Sequence, residues 1–83
     1  MHEHSLVRGL VAQAEAAARA QGAARILVVR VKLGPLAHVD PEHLREHFGQ
    51  AARGTLPEAA VLEIETTTAL HELTLESLDV EDA

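Results

Sequence analysis

The chain contains no cysteine, which rules out disulfides, thiolate metal sites and thiol nucleophiles. Basic residues are few and form no cluster: 7 stand against 13 acidic ones, for a formal charge of −6. This balance argues against nucleic acid or an anionic membrane as the main partner. No apolar run approaches the roughly 18–20 residues of a membrane span, and the polar start is unlike a signal peptide. We therefore interpret the protein as cytoplasmic.

A chain of 83 residues suits one domain, which we expect to cover residues 1–83. Fifteen of the residues are alanine. The larger apolar side chains that remain are enough for one thin core between two layers.

Apolar residues at helical spacing predict a first helix whose stripe includes Leu6 and Leu10. Ser5 is a plausible N-cap, and Gly22 suits the left-handed position beyond the last turn. A second helix is expected after Asp40.

The second helix has the clearest start signal in the chain, because Asp40 can cap it and Pro41 fits its first position. Its apolar stripe consists of Leu44, Phe48 and Ala51, and Gly54 is expected to end it.

Alternating apolar residues predict three strands. The first covers 25–33, the second 60–66 and the third 71–80. In the third strand the apolar parity switches, which a β-bulge near Ser77 would explain, with a simple end of the strand as the alternative. The acidic tail 79–83 is expected to fray. The inner face of the first strand is predicted to consist of Leu27, Val29, Val31 and Leu33.

The order α-β-α-β-β predicts an α/β fold of the two-layer α+β kind. In this arrangement two helices cover one face of a three-stranded mixed sheet.

The start Met1-His2-Glu3-His4 is able to chelate a metal ion. The Met1 amine and the His2 amide nitrogen close a five-membered ring, and the His2 amide and imidazole close a six-membered one. Nitrogen donors of this kind suit square-planar Ni(II) or Cu(II). Glu3, His4 or water would take the fourth position. A terminus without any metal role is the simpler alternative.

The segment from His43 to His47 matches the H-x-x-E-H pattern of inverted zinc peptidases. Because no third ligand or cleft is evident, we interpret both histidines as flanking the core at the solvent boundary, with adventitious metal binding as the alternative.

Outward glutamates on the last two strands are interpreted as an ordinary charged sheet face rather than a cation site. These glutamates are Glu63, Glu65, Glu72 and Glu76.

Several short segments, each a weak signal by itself, occur along the chain in an order that is characteristic when taken together. They are Met1-His2-Glu3 with Ser5-Leu6, Leu33-Gly34-Pro35-Leu36, Val39-Asp40-Pro41-Glu42, Gly54-Thr55, Leu62-Glu63-Ile64-Glu65, and Glu72-Leu73-Thr74-Leu75-Glu76-Ser77-Leu78. In this order the chain resembles, over nearly its whole length, the HypA/HybF family of hydrogenase nickel-incorporation proteins.

The resemblance implies a metallochaperone and not an enzyme, without catalytic residues. Family members deliver Ni(II) to the large subunit of [NiFe] hydrogenase, and sometimes to urease, with the GTPase HypB as helper. Carried over to this sequence, the nickel site lies at Met1, His2 and Glu3, and His4 is an extra donor. A homodimer is a further option for a core this small.

The family inserts a four-cysteine zinc module between the strand ending near Glu65 and the one starting near Glu72. Here that interval holds only residues 66–71. We therefore expect the nickel-binding part without structural zinc. The competing hypothesis is a metal-independent interaction or regulatory module that binds the GTPase or a full-length paralogue.

Overall fold

The structure is a computed structural model that describes residues 2–83, except for the side chain of His2. Two helices and three strands follow one another in the predicted order, with one short 3-10 turn between them. The elements are α1 (His2–Ala20), β1 (Ala23–Leu33), the turn Pro35–Ala37, α2 (Pro41–Ala51), β2 (Val61–Thr66) and β3 (Leu73–Asp82).

Helix α1 begins at His2, so the prediction of Ser5 as its N-cap is wrong. The acidic Glu3 lies in the first turn, where it complements the positive end of the helix dipole. Gly22 follows the helix with a φ of 71°, as predicted for a left-handed residue after the last turn. Within residues 2–83, no helix is long and apolar enough to cross a bilayer.

Helix α2 starts as its sequence predicts. The Asp40 carboxylate accepts a hydrogen bond from the His43 amide at 3.1 Å, and Pro41 occupies the first helical position. The helix ends at Ala51, three residues before the predicted stop at Gly54, which has a φ of 76° in the turn that follows.

The sheet has the order β2-β1-β3, with β1 parallel to β2 and antiparallel to β3. It is the mixed three-stranded sheet that was predicted. Both helices contact the sheet and each other, α1 against β1 and β3 and α2 against β2. The core lies between the helix layer and the sheet. Its larger buried side chains are Val7, Leu10, Val11, Ile26, Val29, Val31, Leu33, Leu44, Phe48 and Leu62.

A register shift in β1 changes which of its side chains face the core. Ile26 pairs with Val80 and Val28 with Asp79, which leaves Leu27 as an extra residue. The prediction of Leu27 on the inner face is therefore wrong: Leu27 is 40% exposed, whereas Ile26 is 1% exposed.

A second shift lies in β3 and confirms the predicted bulge near Ser77. Arg30 pairs with Ser77 and Val31 with Leu75, so that Glu76 is the extra residue. The apolar residues of β3 on both sides of the bulge thus reach the same core.

The acidic end of β3 does not fray, because two arginines of β1 pair with it. Arg30 donates two hydrogen bonds to Asp79, each of 2.8 Å, and Arg25 Nε donates to a Glu81 carboxylate oxygen at 2.6 Å. Opposite charges on neighbouring strands stabilise the pairing. Strand β3 consequently extends to Asp82.

Gly34 lies where the end of β1 passes the segment before β3. Its amide donates to the Glu72 carbonyl at 2.8 Å, and the Leu36 amide donates to the His71 carbonyl at 3.0 Å. A Cβ atom at residue 34 would lie 2.2 Å from the His71 carbonyl oxygen. The close approach of two backbone segments therefore requires glycine here.

We expect Gly34→Ala to lower the free energy of unfolding by about 1–3 kcal/mol, because the added methyl group forces these two segments apart. Gly49→Ala is the matched control: this glycine lies inside α2 and a Cβ there meets no atom within 4 Å. It should be neutral or stabilising by up to about 1 kcal/mol. Urea unfolding measures both, and equal effects of the two variants would contradict the assigned contact.

The hydrogen bonds from Arg30 hold the pKa of Asp79 below its ordinary value of 3.8. Folding therefore favours the ionised carboxylate, and this stabilisation is present above pH 3.8 and lost as the pH falls through the lowered pKa. We expect Asp79→Asn to be less stable than the wild type from pH 7 down to about 5, with a difference that shrinks only below about pH 4. Urea unfolding at several pH values measures it, and Asp82→Asn controls for the same charge change on β3. A difference that grows in acid would contradict the pairing.

Candidate metal centre

Of the four predicted nickel-binding residues, the structure places Glu3 and His4 in the first turn of α1. Met1 and the side chain of His2 lie outside the described residues, so their predicted roles are not tested by the structure. The backbone of His2 is already helical. The predicted chelate therefore adjoins the first turn of a helix.

A helix start leaves backbone amides available. The first four N–H groups of an α-helix have no carbonyl one turn earlier to donate to, and in α1 this set includes the amides of His2 and Glu3. A metal that replaces the amide proton of His2 therefore breaks no hydrogen bond of the helix. The positive end of the helix dipole also stabilises the negative charge of a deprotonated amide.

The carboxylate of Glu3 lies against α2. Its Oε2 atom is 2.9 Å from Nδ1 of His47, and the two side chains are 24% and 39% exposed. Although this distance suits a hydrogen bond, Oε2 is buried and has no hydrogen-bond partner in the described part of the chain. The contact between the imidazole and the carboxylate is therefore an electrostatic one, and it ties the first turn of α1 to α2.

His4 lies in the same turn as Glu3. It is exposed, and together with His47 and Gln50 it lines a cleft of about 200 Å³ between α1 and α2. The imidazole of His47 is therefore partly open to solvent.

The two histidines of the H-x-x-E-H segment lie at the solvent boundary, as predicted. His43 is exposed and its ring stacks on that of His47, with ring centroids 6.0 Å apart and an interplanar angle of 14°. Leu44 and Phe48, on the same helix, are buried in the core. What the sequence analysis missed is the contact between His47 and Glu3, because helical spacing does not say which turn of α1 meets α2.

Among the residues with described side chains, no three His, Asp or Glu side chains are close enough to hold a metal ion by themselves. The H-x-x-E-H segment thus lacks a third described ligand.

The outer sheet face carries paired charges. Arg30 Nε lies 3.0 Å from a carboxylate oxygen of Glu63, and Lys32 Nζ lies 3.7 Å from one of Glu76. These two glutamates neutralise basic residues of β1, in line with the interpretation of an ordinary charged face.

The connection between β2 and β3 is short and held by backbone contacts. It covers residues 67–72 and contains no cysteine. The Thr67 amide donates to the Leu33 carbonyl at 3.0 Å, and the Ala69 amide donates to the Thr67 hydroxyl at 3.1 Å. The connection therefore closes against the end of β1.

Comparison with known proteins points to one family. A family model described as hydrogenase/urease nickel incorporation, metallochaperone, HypA matches residues 1–73. Proteins named hydrogenase maturation factor HypA are similar to this chain: that of Chlorobium limicola is 46% identical over 70 residues (84% of this chain, 60% of the relative). That of Methylocella silvestris is 43% identical over 65 residues (78% of this chain, 58% of the relative).

The fold is also that of solved structures. The solution structure of the Ni metallochaperone HypA from Helicobacter pylori superposes with a TM-score of 0.86 at 21% identity, covering 100% of both chains. A second solution structure of a HypA protein gives 0.75 at 22% identity, covering 96% of both chains. At this identity the likeness shows the fold alone.

The curated relatives are longer than this chain, which spans about 60% of their length. The family match nevertheless covers the N-terminal motif, both helices and the first two strands. The chain therefore belongs to the HypA family of nickel-incorporation metallochaperones, which are not enzymes.

Proposed function

We propose that this chain binds Ni(II) at its N-terminus and acts as a nickel metallochaperone in hydrogenase maturation. The observation that carries the proposal is the family match over residues 1–73, which includes the Met1-His2-Glu3 start. The donors are the Met1 amine, the amide and imidazole of His2, and Glu3. His4 is an additional donor in the adjoining turn.

The position of the site supports a carrier role. A chaperone must release its cargo, and a site on the first helical turn can open when only that turn unwinds. Glu3 and His4 lie in that turn, while the buried stripe of α1 starts at Val7. Opening the site therefore leaves the hydrophobic core intact.

The names of the relatives support hydrogenase as the pathway that receives the nickel. We propose the large subunit of [NiFe] hydrogenase as the acceptor and the GTPase HypB as the partner that takes part in nickel handling. These partners are proposed for a chain that spans about 60% of the relatives' length.

We further propose that this fold needs no structural zinc. The chain has no cysteine, and the connection between β2 and β3 is only residues 67–72. Backbone hydrogen bonds to Leu33 and from Gly34 hold the two ends of that connection. These hydrogen bonds fix the position of the connection without a bound metal.

For the nickel site, we expect the chain with a free Met1 amine to bind one Ni(II) and His2→Ala to bind it at least tenfold more weakly, because the variant loses an imidazole and its chelate ring. Adding residues before Met1 should have a similar effect by converting the amine to an amide. Competition with a chromophoric chelator measures the affinities. His71→Ala, an exposed loop histidine, is the control. Equal affinities of the wild type and His2→Ala would refute the N-terminal site.

For the fold, we expect a large excess of EDTA to leave the thermal unfolding midpoint of the purified chain unchanged, since no metal contributes to folding free energy. Circular dichroism follows the transition, and elemental analysis of the same sample reports zinc. A drop in the midpoint with stoichiometric zinc in the untreated protein would contradict the proposal.

A further inference from the structure

Strand β2 forms one edge of the sheet, and no other strand of the described chain pairs with its outer side. The sheet order β2-β1-β3 gives β2 a neighbour on one side only, and α2 packs on it from the helix layer. Its six residues present about 20 Å of backbone along that free side. Unpaired backbone groups in an extended strand are a template on which another strand can add.

The hydrogen bonds of β2 show which of its residues point to the free side. The Thr67 amide, next after the strand, donates to the Leu33 carbonyl of β1 at 3.0 Å. Because successive residues of a strand turn their N–H and C=O groups to opposite sides, residues 61, 63 and 65 also point to β1. The backbone groups of Leu62, Ile64 and Thr66 therefore point away from the sheet.

One of these outward groups already has a partner. The guanidinium of Arg45 on α2 donates through Nη1 to the Leu62 carbonyl. The outward groups of Ile64 and Thr66 lie further along the same edge and bond to no other residue in the described part of the chain. The edge is thus covered at one point by a flexible side chain and is open beyond it.

The side chains beside the edge determine what kind of strand fits. On the outer face, Glu63 pairs with Arg30 at 3.0 Å, whereas Glu65 is exposed and makes no ion pair with a described side chain. On the inner face, Ile64 is half-buried and packs against the core. Side chains opposite one another on neighbouring strands interact directly. A complementary strand therefore carries basic residues on its outer face and apolar residues on its inner face.

A second copy of this chain does not meet that requirement. Two β2 strands paired antiparallel about Ile64 place Glu63 of each copy opposite Glu65 of the other, and like charges directly opposite are destabilising. The formal charge of −6 opposes self-association further. Charge complementarity therefore favours a different chain with basic residues.

We propose that the free side of β2 binds an extended segment of a partner protein in which basic and apolar residues alternate. The segment adds a fourth strand beside Leu62, Ile64 and Thr66 and replaces the guanidinium of Arg45 on the Leu62 carbonyl. Arg45 then acts as a displaceable cover of the edge. This interaction surface is independent of the proposed nickel site, because it uses neither Met1 nor His2.

The experiment uses a synthetic peptide with blocked ends, in which lysine and valine alternate over the length of β2, and the full chain at physiological salt. We expect a dissociation constant below about 1 mM by calorimetry. The same peptide with glutamate in place of lysine should bind at least about tenfold more weakly. In NMR hydrogen exchange, the Ile64 and Thr66 amides should become protected by the lysine peptide. Unchanged exchange of these two amides would overturn the proposal.

Two N-methylated peptides separate strand pairing from a general attraction of cations to an acidic protein. One is methylated on the valine amides and the other on the lysine amides. Because only one of the two sets faces β2 in a paired strand, one peptide should lose binding and the other should keep it. Equal behaviour of the two peptides would exclude strand addition.

Variants test the residues named. Glu65→Lys should weaken binding of the lysine peptide about tenfold, whereas Asp82→Lys, the same charge change on the opposite edge strand β3, should leave it unchanged. Arg45→Ala should bind the peptide at least about threefold more tightly, because nothing then competes for the Leu62 carbonyl. Arg53→Ala, an exposed arginine beyond α2, is the matched control. Thermal unfolding verifies that each variant is folded.

Two results with these proteins would overturn the proposal. Weaker binding to Arg45→Ala would mean that the guanidinium is part of the binding surface and not a cover of the edge. A dimer of the free chain by light scattering, with Ile64 and Thr66 protected without peptide, would assign the edge to a second copy instead.

Discussion

The fold depends on β1 as the central strand, because both other strands pair with it and its inner face carries core residues. Strand β1 pairs in parallel with β2 and antiparallel with β3. Its inner residues Val29 and Val31 are fully buried beneath the helices. Burial of β-branched side chains on a central strand combines hydrogen bonding on both edges with the removal of apolar area from water. Without this strand β2 and β3 have no common partner, and the sheet that the helices cover does not form.

The candidate metal centre is a consequence of how the two helices share that sheet. Helix α1 covers β1 and β3, α2 covers β2, and the helices therefore touch each other. Their contact brings the first turn of α1 to the middle of α2, where Glu3 meets His47. This contact lies beside the core but outside it, because both side chains are partly exposed.

The two arginines of β1 have a comparable role on the outer face of the sheet. Arg30 binds Asp79 and Glu63 on the two neighbouring strands, and Arg25 binds Glu81. Charge pairing across strands thus stabilises, as part of β3, an acidic segment whose own sequence predicts a frayed tail. The local sequence of residues 79–83 is polar and does not indicate an ordered strand, because the arginines that pair with it lie some 50 positions earlier in the chain.

Sequence signals correctly predicted the features that depend only on neighbouring residues. Asp40 and Pro41 start α2 as expected because a cap involves only neighbouring residues, and the bulge near Ser77 follows from the period of β3 itself. Ser5 and Leu27 were misjudged. Helix α1 extends back to His2, beyond the cap that its sequence suggests, and the shift in β1 depends on its pairing with β3, which the sequence of β1 alone does not encode.

For the candidate site, the sequence by itself determined which types of donor groups are present. The Met1-His2-Glu3-His4 start supplies nitrogen and carboxylate donors next to free helical amides, and the lack of cysteine excludes thiolates. Only the tertiary structure decided that His47 stands 2.9 Å from Glu3 while His43, on the same helix face, stays in solvent. Helical spacing orders side chains around one axis, but the distance between two helices depends on the core packed between them and the sheet.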